Sequence, residues 1–197
     1  MRERRNFSNE NAIIRSDNKD SRTITGYALV FDQESRDLGG FTEIIERTAL
    51  DGVIPGEQDV LALYNHDSSR GVLARYTNGE GTLELRVDDI GLRYKFEADE
   101  KSPLANEVLS AITRGDISTS SFAFTIEEEA WEKRDLDYLR RIKRFKNIYD
   151  VSPVLRAAYP DTSVAARSLE EIKDVELKEF IKEVDEFIET LEKEENK

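Results

Sequence analysis

Three side chains that can support nucleophilic and acid–base chemistry stand in three distant stretches of this sequence. His66 is the only histidine and follows an apolar run. Because histidine exchanges protons near neutral pH, a single copy has no second imidazole to share that work. Ser121 lies in a hydroxyl cluster, residues 117–124, and Asp150 lies among apolar residues in 147–154. A hydroxyl nucleophile, an imidazole base and an orienting carboxylate are the components of a serine protease site, whatever their order in the chain.

Each of these residues also has an ordinary structural interpretation. His66 could be a hydrogen-bonded structural histidine, and Asp150 could be a turn or cap acid. Three serines, Ser118, Ser120 and Ser121, compete for the role of nucleophile. Alternation along a strand would put Ser121 opposite the neighbouring phenylalanines, whereas the other two serines would share the phenylalanine side. An unpaired carboxylate is costly to bury, and an imidazole partner for Asp150 would remove that cost.

Short strand-like segments predict that a sheet positions these residues. Ser102 as N-cap, Pro103 at the first helical position and Gly115 at the end predict one helix among them. An acidic loop is expected after the Ser121 strand, and residues 72–96 are expected to form an antiparallel meander. The predicted strands are residues 22–31, 41–46, 60–64, 72–76, 82–87, 92–96 and 138–145, together with the segments around Ser121 and Asp150. The pattern indicates a mixed α+β domain with a mostly antiparallel sheet or barrel.

The composition excludes several classes of function. A net charge of −13 argues against nucleic acid as the main partner, because phosphate binding needs a basic surface. With no cysteine and one histidine, thiolate chemistry and the usual zinc sites are excluded, and we expect no cofactor. No apolar run is long enough for a membrane span, and no apolar segment follows the basic N-terminus, so we expect a soluble intracellular protein.

The last stretch of the chain, residues 168–197, has its own composition. It carries twelve acidic residues against five lysines, a net charge of −7, which is more than half of the total. Its apolar residues recur every three to five positions, which predicts an acidic amphipathic helix beside a domain at 1–167. The stripe could be ordinary core packing or could pair with another copy or a different coiled coil.

A series of motifs in this order resembles the tailed-phage prohead maturation proteases, over roughly residues 1–168. Many relatives carry Glu where Asp150 stands, and glycine where Ala123 stands. The motifs are Thr-Gly-Tyr-Ala-Leu-Val-Phe at 25–31, Phe-Thr-Glu-Ile-Ile at 41–45, Ala-Leu-Tyr-Asn-His-Asp at 62–67, Gly-Thr-Leu-Glu-Leu at 81–85, Asp-Ile-Gly-Leu at 89–92, Gly-Asp-Ile at 115–117, Ser-Phe-Ala-Phe at 121–124, Asp-Val-Ser-Pro-Val at 150–154 and Ala-Tyr-Pro-Asp-Thr at 158–162.

The resemblance implies a fold like that of the herpesvirus assemblins: a closed, mostly antiparallel β-barrel of about seven strands with surrounding helices. The long acidic C-terminal helix, predicted from the pattern of residues 168–197, is added to this fold. It also implies that Ser121 is the nucleophile, His66 the base and Asp150 the third member of a triad. The implied activity is a serine endopeptidase that cleaves scaffold protein, or the scaffolding segment of the major capsid protein, and often itself.

The resemblance places the protein in the host cell cytoplasm, inside the assembling prohead, with the major capsid protein or scaffold as partner. Because assemblins need dimerisation, a homodimer is one expected arrangement. Two other functions stay open on the residues alone. One is a non-catalytic capsid assembly or scaffold-binding factor in which Ser121 and His66 are structural, and the other is a carboxylate-only hydrolase.

Overall fold

The computed structural model describes residues 2–7, 15–16, 21–155 and 163–195. The motif at 158–162 lies outside these residues. The described strands are β1 (Glu3–Phe7), β2 (Arg15–Ser16), β3 (Thr23–Val30), β4 (Phe41–Ile45), β5 (Asp59–Ala62), β6 (Ala74–Thr77), β7 (Glu80–Gly81), β8 (Leu83–Val87), β9 (Gly91–Glu97), β10 (Thr119–Lys133) and β11 (Tyr138–Val154). The α-helices are α1 (Pro103–Arg114) and α2 (Ser163–Glu195), and two 3₁₀ helices cover Arg47–Leu50 and Ser68–Arg70.

The strands form two sheets rather than one closed barrel. The first sheet has the order β1-β10-β11-β5-β6-β7, with β4 also paired to β11, and the second has the order β2-β3-β9-β8. Within the described parts of the chain, no hydrogen-bonded ladder joins the two sheets. The expected barrel is therefore wrong, although the mixed, strand-rich α+β class is confirmed. Alternating sequence patterns report which face of a strand is buried, and two sheets facing one core satisfy them without closure.

Strand β11 organises the first sheet. It pairs antiparallel with β10, and on its other side it pairs in parallel with β4 through residues 138–142 and with β5 through Asp150 and Val151. These parallel pairs join residues that are 89 positions apart in the chain for β5 and 97 for β4, and so bring distant strands to the strand that carries Asp150. The remaining strand pairs of both sheets are antiparallel, as the sequence predicted.

The acidic loop predicted after the Ser121 strand is instead part of β10. Residues 127–129 continue the strand, and the two predicted segments that follow form the single strand β11. Basic residues on β11 face the glutamates, with Lys143 Nζ 3.9 Å from Glu128 Oε1 and Arg141 Nη2 3.6 Å from Glu132 Oε2. Such cross-strand pairs favour a strand where the sequence, taken by itself, indicates a polar loop.

The predicted meander of residues 72–96 is only partly correct. Strands β8 and β9 form the expected antiparallel hairpin in the second sheet. The first of the three strands, β6, pairs instead with β5 and β7 in the first sheet. The chain therefore crosses from one sheet to the other between β7 and β8, a choice that strand spacing does not reveal.

The core contains side chains from both sheets and from α1. Its centre includes the rings of Phe122, Phe124 and Phe145, whose centroids lie 4.8–5.9 Å apart. Gly26 in β3 allows a close approach, because a Cβ atom there would lie 2.9 Å from the hydroxyl oxygen of Tyr94. The group that approaches this glycine closely is therefore a side chain.

Helix α1 has the predicted bounds and caps. The Ser102 side chain accepts a hydrogen bond from the backbone N–H of Ala105, Pro103 begins the helix, and Gly115 ends it with a φ of +82°. Glycine adopts this left-handed conformation without the steric penalty of a side chain. Ala105, Val108 and Ile112 form the buried face of the helix.

The chain divides into two compact units, Met1–Asp161 and Thr162–Lys197. The second unit contains α2. On this helix, Val175, Leu177, Phe180 and Ile181 are more than half exposed. In the described residues, no helix is long and apolar enough to cross a membrane.

Candidate active site

Strand β10 places Ser121 and Ser120 on opposite faces of the first sheet. Ser120 lies on the core side, where its Oγ is 2.7 Å from the hydroxyl of Tyr94. Ser118 is exposed and precedes the strand. Ser121 lies on the other face, opposite Ser152 of β11. The strand alternation that favoured Ser121 over its neighbours therefore describes the local structure correctly.

His66 reaches this face from the loop after β5. Asn65 and His66 both have left-handed backbone conformations, with φ of +54° and +60°. The backbone N–H of Asn65 donates to the carbonyl of Pro153, and its side-chain oxygen accepts from the N–H of Leu155. Conformations of this kind persist only where surrounding contacts impose them, and they are common at functional sites. The end of β11 thus fixes the loop that carries the imidazole.

The imidazole of His66 lies between the hydroxyl of Ser121 and the carboxylate of Asp150. Nε2 is 2.5 Å from Ser121 Oγ, and Nδ1 is 2.5 Å from Asp150 Oδ1. The side chains are buried, with 4% exposure for His66 and none for Ser121 and Asp150. With the proton on Nδ1, the ring donates to the carboxylate and leaves the Nε2 lone pair free to accept the serine proton. The structure therefore brings together all three residues singled out in the sequence.

A family profile described as caudovirus prohead serine protease matches residues 10–175 of the 197. The chain belongs to this family. It is thus a bacteriophage serine protease with a role in capsid maturation. Comparison with curated proteins gave no match, and comparison with solved structures gave none.

In this prohead protease, Asp150 has other partners besides the imidazole of His66. Ser152 Oγ donates to Asp150 Oδ1 at 2.6 Å and lies 3.3 Å from His66 Nδ1, and the Arg2 guanidinium pairs with Asp150 Oδ2. Burial by itself would raise the pKa of Asp150, but the hydrogen bond and charge of His66, the Ser152 hydroxyl and the charge of Arg2 together lower that pKa below its ordinary value. The carboxylate is therefore ionised at neutral pH.

Strand β1 of the prohead protease also contacts the site. It pairs antiparallel with β10, and Asn6 is opposite Ser121. The Ser121 hydroxyl lies 2.9 Å from the carbonyl oxygen of Arg5 and can donate to it. Since one hydroxyl proton serves two acceptors, it can go either to this carbonyl or to Nε2 of His66.

A buried ion cluster anchors β1 to the rest of the first sheet. Arg140 of β11 bonds Glu3 at 2.8 and 2.9 Å and Glu43 of β4 at 3.0 Å, and Arg5 bonds the same two carboxylates at 2.7–3.0 Å. Burial would raise the pKa of Glu3, but the hydrogen bond and charge of Arg140, with Arg5, lower it. Burial would lower the pKa of Arg140, but Glu3, Glu43 and Glu129 raise it. Mutual pairing thus keeps Glu3 and Arg140 ionised.

Sequence reasoning missed Arg2, the Arg5 carbonyl and Ser152. A signal existed for Ser152, because it stands two residues after Asp150 in the same strand and must share its face. The Arg5 carbonyl belongs to β1 and Arg2 immediately precedes that strand, and no spacing in the sequence links this segment to Ser121 or Asp150. Among the described residues, no group of three or more histidine, cysteine or acidic side chains is placed to hold a metal ion.

Proposed function

We propose that Ser121, His66 and Asp150 are the catalytic triad of a serine endopeptidase. The observation that carries the proposal is the position of the single imidazole, with one ring nitrogen 2.5 Å from the hydroxyl and the other 2.5 Å from the carboxylate. Nucleophile, base and orienting acid are recognised by this geometry. A non-catalytic assembly factor would not require the three side chains to converge on one face of the sheet.

In the proposed reaction, Ser121 Oγ attacks the carbonyl carbon of a peptide bond while Nε2 of His66 takes the hydroxyl proton. Asp150 accepts from Nδ1–H, keeps the ring in this tautomer and stabilises the imidazolium. Collapse of the tetrahedral intermediate breaks the C–N bond, and His66 gives the proton to the departing amine. Water then hydrolyses the acyl-enzyme by the same proton transfers. Because the side chains of Ser121 and His66 are buried, a substrate carbonyl reaches Oγ only after a local rearrangement.

The proposed substrates are the scaffold protein or the scaffolding segment of the major capsid protein, with self-cleavage in addition. Membership of the prohead protease family supports this choice, and it supports action inside the assembling prohead in the host cell cytoplasm. The homodimer stays a prediction that size measurements on the purified protein can test.

We further propose that the chain consists of a protease domain, residues 1–167, and an acidic amphipathic tail, residues 168–197, that pairs with a scaffold coiled coil. The exposed apolar side chains of α2, Leu177, Ile181 and Val184 among them, support a helical partner. Deletion of 168–197 is expected to leave peptide cleavage intact and to reduce incorporation into proheads. Normal incorporation of the truncated protein would contradict the role of the tail.

The decisive experiment is co-expression of the protease with the capsid and scaffold precursors of the same phage. Intact-mass measurement should show defined fragments with the wild-type enzyme and full-length precursors with Ser121→Ala. Circular dichroism of purified Ser121→Ala checks that the fold is retained. Retained cleavage by this variant would refute Ser121 as the nucleophile.

A further inference from the structure

Asp150 receives its third contact from the N-terminal end of the chain. Oδ1 accepts from His66 and Ser152, and the Arg2 guanidinium pairs with Oδ2. The guanidinium carbon also lies 4.7 Å from the ring centroid of Tyr149, the residue next to Asp150. The Arg2 side chain is 44% exposed, whereas the carboxylate that it contacts is fully buried.

We infer that Arg2 is a positioning residue for the proposed proteolytic reaction: from its place just before β1, it holds the Asp150 carboxylate of β11 and partly neutralises its charge beside His66. This inference depends on the proposed triad. An ion pair on Oδ2, together with the bonds on Oδ1, fixes both oxygens of the carboxylate. The orientation of the imidazole follows from that of the carboxylate, so Arg2 acts on Ser121 through two intervening side chains.

The buried ion cluster keeps Arg2 in place. Arg5 and Glu3 tie β1 to β4 and β11, which leaves the residue before the strand within reach of Asp150. Alternation along β1 puts Arg2 and Arg4 on the face of Ser121, and Arg4 pairs with Ala123 in the register. Arg4 is exposed and carries the same charge on the same face, so it provides a matched control.

The electrostatic consequence has a definite sign. Among the described residues, Asp150 pairs with the imidazole and Arg2 pairs with Asp150, while the next residue in the chain, Asp67, has a carboxylate that accepts from the N–H and hydroxyl of Ser69. The imidazole also contacts the neutral hydroxyls of Ser121 and Ser152. Asp150 favours the imidazolium, and the Arg2 cation opposes it. Removal of the cation should therefore make the imidazole accept a proton at higher pH.

The single histidine allows a direct test that does not depend on proteolysis. In a preparation without a histidine tag, one imidazole C2–H resonance is followed by NMR against pH in the wild type, Arg2→Gln, Arg2→Lys and Arg4→Gln. The midpoint in Arg2→Gln should lie at higher pH than the midpoint in Arg4→Gln, because the cation that opposes the imidazolium has been removed. Arg2→Lys, which keeps the charge, should titrate close to the wild type.

Kinetics on the same variants test the positioning role. Arg2→Gln should lower kcat by about tenfold to a hundredfold, with little change in KM, and should move the acid limb of kcat/KM upward in parallel with the NMR titration. Arg2→Lys should recover the acid limb but only part of kcat, since it lacks the planar fork of arginine. Arg4→Gln should retain wild-type kcat.

The inference would be overturned by an imidazole titration in Arg2→Gln equal to that in Arg4→Gln, or by an increase of kcat on removal of Arg2. A loss of thermal stability without a shifted titration would also reject it in favour of a structural role. The proposed triad fails separately, through cleavage by Ser121→Ala, and the NMR comparison can be read in either case.

Discussion

Ser121 and Asp150 lie on neighbouring strands of one sheet and are offset by two residues along the same face. Ser121 is opposite Ser152, and Asp150 is opposite Ala123. The imidazole of His66 spans this offset: its Nε2 lies 2.5 Å from Ser121 Oγ, and its Nδ1 lies 2.5 Å from Asp150 Oδ1. The proposed triad therefore depends on strand register, because a slip of one residue would move the serine hydroxyl to the core side.

Alanine substitutions of the two adjacent buried serines, Ser120 and Ser121, should separate an effect on catalysis from an effect on stability. Ser121→Ala is expected to lower kcat/KM by on the order of a thousandfold or more, because the attacking oxygen is lost. Ser120→Ala removes the partner of the Tyr94 hydroxyl and should lower the free energy of unfolding by about 1–3 kcal/mol, with kcat retained. Cleavage of the co-expressed precursor and urea unfolding measure the two effects. Loss of activity in Ser120→Ala at full stability would contradict the assignment.

Two substitutions of Asp150 should separate the effect of its charge from the effect of its side-chain length. Asp150→Asn is expected to lower kcat by roughly four orders of magnitude, since an amide can donate to Nδ1 and so favour the wrong imidazole tautomer. Asp150→Glu keeps the charge and should retain more activity, although the longer side chain must displace the Ser152 contact. Steady-state kinetics on both variants give the comparison. Equal kcat values for the two variants would argue against an orienting carboxylate.

The buried ion cluster predicts a large stability difference between two arginines. Arg140→Leu leaves Glu3 and Glu43 buried with less compensation and should lower the free energy of unfolding by about 3–5 kcal/mol. Arg134→Leu removes a partly exposed pair with Glu34 and should cost under about 1 kcal/mol. Chemical denaturation of both variants measures the difference. Similar losses would mean that the cluster contributes little to the stability of the sheet.

The lowered pKa values of Asp150 and Glu3 predict a loss of stability in acid. Because both groups release protons more readily in the folded state, their contribution is complete above the ordinary carboxyl values of 3.8 and 4.5. It is lost as pH falls through the lowered folded-state values. Urea unfolding between pH 7 and pH 3 should show this decline, and Asp150→Asn should show a shallower one. An equal slope in the variant would exclude a contribution from Asp150.

Local sequence signals predicted the local structure well. Ser102, Pro103 and Gly115 fixed the bounds of α1, because capping and turn preferences act over a few residues. Alternation placed Ser121 away from Phe122, because side chains along a strand point to alternate faces. The order of the motifs also indicated the prohead protease family. These signals depend only on neighbouring residues or on the order of segments.

Tertiary structure decided which strands became partners. Packing between distant segments determines three features of the fold. These are the parallel pairing of β4 and β5 with β11, the pairing of β6 within the first sheet, and the arrangement of the strands as two open sheets. The same long-range pairing brought Arg2 to Asp150 and the Arg5 carbonyl to Ser121. The sequence by itself determined the side chains available for chemistry and the face on which each strand presents them. Their convergence needed the tertiary structure, because strand pairing is set by the total burial and hydrogen bonding of the whole sheet, which no local pattern encodes.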